Sequence, residues 1–150
     1  MSLTRRARRP PGWIALFNRI AKPLLAAGVP MGPDVLLTVR GRRSGLPRST
    51  PVAVAEIDGR LWLISPFGRA DWVANLRAAG RATITSGRRT EQLTVRELTR
   101  DEAIAYYRDM VNPYLRRTPL ARWIVRNLDR IPEVPESAAD ATVVFEIMPA

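Results

Sequence analysis

The chain contains no cysteine and no histidine. The first absence excludes disulfides and thiolate metal sites and leaves the redox compartment unread. The second removes the Ser-His and Cys-His nucleophile arrangements together with the common zinc sites. If the chain is an enzyme, its reactive group is expected to arrive with a cofactor. Acidic residues are scarce as well: 14 Asp and Glu face 24 Lys and Arg, for a formal net charge of +10. Within residues 1–50 Asp34 is the single acid, whereas residues 101–150 carry slightly more acid than base. Such a gradient points to a polyanionic partner, whether nucleic acid, anionic lipid or a highly charged small molecule. Lys22 is the one lysine, so the codon bias of a GC-rich genome is a second source of the overall arginine content.

No apolar run reaches the length of a membrane span. Arg19 and Lys22 interrupt the best candidate and argue equally against a leader's core. The expectation is therefore a cytoplasmic protein. Trp13, Leu16, Phe17, Ile20 and Leu24 mark one face of a basic amphipathic helix. Such a helix either covers its own domain or rests on the inner face of a membrane. Residues 1–10 read as a basic arm, and 11–150 as a single domain whose amphipathic helix covers 11–27. Monomer and homodimer are both left open.

Hairpins dominate the middle of the chain. Asp34–Arg40 is rich in Val and Leu, and Arg48–Ile57 returns after the Gly41–Gly45 turn. Asp58-Gly59 is a tight-turn signal before Leu61–Ile64. Asp71 is expected to cap a short helix through Ala79. Arg81–Ser86 and Glu91–Leu98 read as a hairpin around Gly87-Arg88-Arg89. Thr99-Arg100-Asp101-Glu102 is a capping box, and Thr118-Pro119 an N-cap and N1 pair. Residues 129–140 read as a surface connection before a last strand, Thr142–Met148. Six strands and few helices, without regular βαβ alternation, predict a mainly β, α+β fold: an antiparallel barrel with peripheral helices.

Three segments carry candidate chemistry. In Gly41-Arg42-Arg43-Ser44-Gly45 two glycines bracket two guanidiniums and a hydroxyl, and Arg48 follows on the next strand. Glycine lets the backbone approach a ligand, and arginine offers a planar fork for carboxylate or phosphate oxygens. The turn reads as an anion cradle. The loop Ser65-Pro66-Phe67-Gly68 leaves an apolar strand and can point backbone N–H groups at a ligand. Tyr106, Tyr107 and Tyr114, with Trp123, lie at helical spacing, where core packing and a substrate pocket are both open readings. The aromatics are not interleaved with the arginines as a stacking platform requires, which argues against nucleic acid as the partner.

The run Val35-Leu36-Leu37-Thr38-Val39-Arg40-Gly41-Arg42-Arg43-Ser44-Gly45-Leu46-Pro47-Arg48-Ser49-Thr50-Pro51 resembles the deazaflavin-dependent nitroreductase family of split β-barrel oxidoreductases. So do Ser65-Pro66-Phe67-Gly68 and Asp71-Trp72-Val73-Ala74-Asn75-Leu76-Arg77-Ala78. The resemblance implies a six-stranded split β-barrel that binds coenzyme F420, a deazaflavin whose tail carries a phosphodiester and an oligoglutamate. It implies that Arg42, Arg43, Ser44 and Gly45 hold the phosphate and nearby carboxylates. Arg48 would assist, and Thr50 and Pro51 would line the groove. The backbone of Ser65, Pro66, Phe67 and Gly68 would face the ring, with Trp72 and Asn75 shaping the pocket. The implied activity is hydride transfer between reduced deazaflavin and a small hydrophobic, electron-poor molecule, nitroreductase- or ene-reductase-like. Tyr107 or Tyr114 is the candidate proton donor, with solvent as the other source, and no metal is expected. Within the same fold an FMN-dependent enzyme is the alternative, since FMN has one terminal phosphate and less need of so many arginines.

Overall fold

The computed structural model describes residues 34–149. The basic arm and the amphipathic helix expected over 11–27 lie outside the described residues. Six strands follow in chain order: β1 (Asp34–Arg40), β2 (Pro47–Ile57), β3 (Arg60–Ser65), β4 (Arg81–Ser86), β5 (Arg89–Glu97) and β6 (Val143–Pro149). They close into an antiparallel barrel in the order β1-β2-β3-β6-β5-β4. Asp58 and Gly59 both take positive φ, 54° and 73°, as the tight β2–β3 turn requires.

The barrel explains why several strands carry apolar residues on both faces. Leu37, Leu63, Val143 and Phe145 point inward and are at most 1% exposed. Helix α1 (Asp71–Ala79) lays Val73 and Leu76 against the same cluster. On the other face of β3 and β6, Trp62 and Val144 pack against the later helices with Tyr106, Tyr107, Val111 and Leu115. The Trp62 and Tyr106 rings lie 4.4 Å apart. Two apolar layers thus share the β3–β6 wall.

The later helices are α2 (Arg100–Tyr106), which continues through a π-helical turn (Tyr107–Val111) into α3 (Asn112–Arg117), then α4 (Pro119–Trp123), with a π-helical turn of its own (Ile124–Leu128), and α5 (Pro135–Ala141). The Thr99 capping box forms as read. Three expectations need correction. Ala70, not Asp71, occupies the N-cap of α1, without a side-chain bond, and Asp71 is the first helical residue. Thr118 holds the N-cap position of α4 but its side chain makes no capping bond. Residues 129–140 are not all connection, because α5 starts at Pro135 and buries Ala138 and Ala139. Proline at the first helical position needs no N–H there, and the small alanines let the helix lie close to its neighbours.

Glu146 joins the barrel's outer wall to the capping box. It accepts hydrogen bonds from Arg60 and, at 3.0 Å, from Arg96, which also donates to Glu102 at 2.7 Å. Arg60 first, then Arg96, holds the Glu146 carboxyl below the ordinary carboxylate value, against a partial desolvation that works the other way. A depressed folded pKa stabilises fully above the unfolded value and loses that contribution as pH falls through the folded one. Both arginines are about half exposed, so the contribution is about 1 kcal/mol or less. Glu146→Gln should therefore melt a few degrees below the wild type near neutral pH. The two curves should draw together as pH falls below the ordinary glutamate value and meet below the lowered folded one, and a gap persisting in acid would refute the linkage.

Candidate functional site

The arginine turn joins β1 to β2 and is closed by its own backbone. Gly41 N–H donates to Leu46 O at 2.8 Å, and Gly45 N–H to Gly41 O at 3.0 Å. Gly45 takes φ +71°, and a Cβ on Gly41 would meet Leu46 O at 3.1 Å and Ser44 Oγ at 2.8 Å. Side chains larger than hydrogen at these two positions would open the turn.

Helix α1 fixes where the turn sits. Asn75 is 6% exposed, and its Oδ1 accepts from the Arg42 backbone N–H at 3.1 Å and from Arg42 Nη1 at 2.8 Å. Arg42 also lies 3.6 Å from the Asp71 carboxylate. Val73 and Leu76, on the adjoining face of α1, anchor the helix to the barrel, so the turn is tied to the core through one amide side chain. Trp72 packs at the same place, its ring 6.3 Å from that of Phe145.

Two clefts flank the turn. The smaller, about 590 Å³, is lined by Arg42, Arg43, Ser44, Arg48, Ser49, Thr50, Asp71, Trp72 and Asn75, with Val39, Gly41 and Pro47. Eight of the sequence's site candidates lie beside the turn: Arg42, Arg43, Ser44, Arg48, Thr50, Trp72 and Asn75 line this cleft, and Gly45 lines the larger one, which Arg42, Arg43 and Ser44 also reach. Among the described residues Arg43 and Arg48 make no ion pair or side-chain hydrogen bond. Their guanidiniums are thus available to an anion.

The other candidates fall elsewhere. Pro51 lies in β2 and lines neither cleft. Ser65, Pro66, Phe67 and Gly68 line neither cleft as well. Their turn folds onto itself: Gly68 N–H donates to Ser65 O at 3.3 Å, and Ser65 Oγ donates to Gly68 O. The Gly68 amide is spent inside the loop, and Ser65 and Phe67 are buried. Tyr107 is fully buried, on the helical side of the barrel. Because Thr142 Oγ1 donates to Ala138 O at 2.8 Å, Tyr107 donates to Thr142 at 2.7 Å. Tyr114 is half-buried against the same helical cluster. Tyr106 is buried there too, and burial raises its hydroxyl well above the ordinary phenol range. Neither Tyr107 nor Tyr114 lines the arginine clefts.

Tyr107→Phe separates a structural from a chemical role. The hydroxyl's hydrogen bond should be worth about 1–2 kcal/mol of stability, lowering Tm by several degrees, while turnover stays unchanged. A large fall in turnover at unaltered Tm would return Tyr107 to the reaction.

Sequence reasoning missed Arg40, Arg81, Gln92 and Thr94, which line the larger cleft, and Asp71 in the smaller one. Alternation along the strands carries the signal: Thr38 and Arg40, Arg81 and Thr83, and Gln92 and Thr94 are polar residues spaced two apart.

Fit to a polyanionic cofactor can be judged from these clefts. Their linings hold five arginines against Asp71, which already faces Arg42. The residues present suit a ligand with a negatively charged tail. Among solved structures, a protein described as a domain-swapped dimer is 18% identical over 91% of this chain and 97% of its own, with a TM-score of 0.52. HutZ, a heme storage protein from Vibrio cholerae, is 11% identical over 88% and 89%, also at 0.52. A conserved hypothetical protein from Mycobacterium tuberculosis is 16% identical over 94% and 85%, at 0.50. At these identities the likeness is one of fold. The sequence comparison goes further, because the family model for F420H(2)-dependent quinone reductase matches residues 17–129, most of the chain. By that match the chain belongs to the F420H(2)-dependent quinone reductase family, oxidoreductases whose cofactor is the deazaflavin F420.

Proposed function

We propose that the protein reduces a hydrophobic, electron-poor acceptor of the quinone class, with the tail of F420 gripped beside Arg43 and Arg48. The observation that carries this reading is the pair of unpartnered guanidiniums in a cleft that Trp72 and Asn75 also line. Bound there, the reduced deazaflavin supplies a hydride, and the acceptor gains a solvent proton to complete its reduction. The chain's own part is positioning. Arg43 and Arg48 hold the anionic tail, Asn75 holds the turn that carries Arg43, and Trp72 offers an apolar face at the cleft. Protonation from solvent is supported by the burial of Tyr107 and by the packing of Tyr114 away from the arginines. The matched family's name favours a quinone over a nitro compound as the acceptor.

Titrating the purified protein with coenzyme F420 and following intrinsic tryptophan fluorescence tests the binding half of the proposal. Consumption of reduced F420 with a quinone, compared with a nitroaromatic, tests the acceptor. Saturable binding and faster turnover of the quinone are expected. Absence of binding, or purification of a yellow protein with an FMN spectrum, would overturn the reading in favour of the flavin alternative.

A further inference from the structure

We propose that the α3–α4 tip of the helical layer is a docking surface for an anionic lipid bilayer, on which the protein rests without crossing it. Helix α4 and the π-helical turn after it are apolar on two sides. Ala121 and Val125 pack inward against the cluster that holds Tyr107 and Leu115. Leu120, Trp123 and Ile124, at i, i+3 and i+4, share another side of the helix. They are 71%, 55% and 37% exposed. The core contact is already made by Ala121 and Val125, so these three large side chains add nothing to it. Exposed hydrophobics scattered singly are ordinary, whereas a contiguous group marks an interaction surface.

Charge selects the partner. No Asp or Glu occurs from Asn112 to Leu128, a stretch that holds Arg116, Arg117, Arg122 and Arg126. Arg116, Arg117 and Arg122 are exposed, and among the described residues none of them is ion-paired. Elsewhere in the helical layer arginines do find carboxylates: Arg100 reaches Asp140 at 2.7 Å and Arg108 reaches Asp109 at 2.9 Å. A hollow of about 400 Å³ at the tip is lined by Leu115, Pro119 and Trp123 together with Arg116, Arg122 and Arg126.

Nucleic acid would engage the guanidiniums and leave Leu120 and Ile124 in water. A purely apolar partner would cover those two and strand the guanidiniums. A bilayer with anionic headgroups meets both needs at different depths. The indole of Trp123 suits the headgroup level, and the aliphatic side chains suit the acyl boundary below it. Arginine stems can lie along that apolar surface while their heads bond phosphate oxygens. Among the described residues no helix is long and apolar enough to cross a membrane, so the contact is interfacial. Docking of this kind involves neither cofactor nor acceptor and is independent of the function proposed above.

Co-sedimentation of the full-length protein with vesicles of phosphatidylcholine, with and without phosphatidylglycerol, tests the surface. The wild type should bind the anionic vesicles about tenfold more tightly than the neutral ones, and less tightly as salt is added. Leu120→Ser/Trp123→Ser should weaken binding to anionic vesicles by about tenfold or more at unchanged Tm. Arg116→Gln/Arg122→Gln should bring that binding down toward the level seen with neutral vesicles. Absence of binding by the wild type would overturn the proposal. So would variants that bind as the wild type does, which would move the contact to another basic segment such as the helix expected over 11–27. A Tm several degrees lower in Leu120→Ser/Trp123→Ser would mean that the chain itself covers this face. A wild-type dimer that the same variant splits would assign the face to a second copy. Either of these results also overturns the lipid surface.

Discussion

Arg43→Glu is expected to weaken F420 binding by about 100-fold or more. A charge-assisted hydrogen bond is worth about 1.5–3 kcal/mol, and each ~1.4 kcal/mol is a factor of ten in affinity. Reversing the sign adds repulsion to that loss. Arg43 is the informative position because its guanidinium has no partner among the described residues, so its replacement breaks no internal contact. Arg42 would be a poorer choice, since it is bonded to Asn75 and faces Asp71. Arg43→Lys should cost about tenfold or less, because it keeps the charge but loses the fork. The wild-type affinity should also fall with added salt, as exposed charges are screened. Fluorescence titration of the three proteins at two ionic strengths checks both points, and undiminished affinity in Arg43→Glu would end the tail assignment.

Phe145→Ala should lower stability by about 3–5 kcal/mol, which for a domain of this size means a Tm lower by roughly 10–15 °C. Phe145 is 1% exposed, lies opposite Leu63 in the β3–β6 ladder, and packs against the same cluster as Val73 and Leu76 of α1. Its loss leaves a cavity that neighbours on three strands and a helix cannot fill together. Phe145→Leu, which keeps most of the volume, should cost well under half as much. Calorimetry on both variants distinguishes the outcomes, and a loss near 1 kcal/mol for the alanine would contradict the filled interior. Because Trp72 packs against this ring, the alanine variant should also bind cofactor more weakly than its remaining folded fraction explains.

The barrel was legible because its signals are local. Asp58-Gly59, Gly41 to Gly45 and the Thr99 capping box act within a few residues, and alternating apolar runs mark the strands between them. The arginine turn was legible for the same reason, since Arg42, Arg43, Ser44 and Arg48 lie within one hairpin. What escaped depends on which strands become neighbours. Arg40 and Arg81 are far apart in sequence and line one cleft only because β4 closes on β1. Helix α5 was hidden by Pro132 and Pro135, which read as loop until the burial of Ala138 and Ala139 shows a packed helix. The loop after Ile64 has the composition of a ligand-facing turn, and the two bonds between Ser65 and Gly68, which local composition does not announce, engage the Ser65 hydroxyl and the Gly68 amide. Tyr107 shows the limit of reading residue type alone: its burial and its hydroxyl's bond to Thr142, beneath α5, depend on a helix that the local sequence hides.

Each of the six strands has a ladder neighbour on both flanks, yet the ladders on β2 do not overlap: Pro47–Ala53 pairs with β1 alone and Val54–Ile57 with β3 alone. The first half of β2 therefore keeps one flank without a ladder partner among the described residues, where main-chain groups can meet water or another polypeptide.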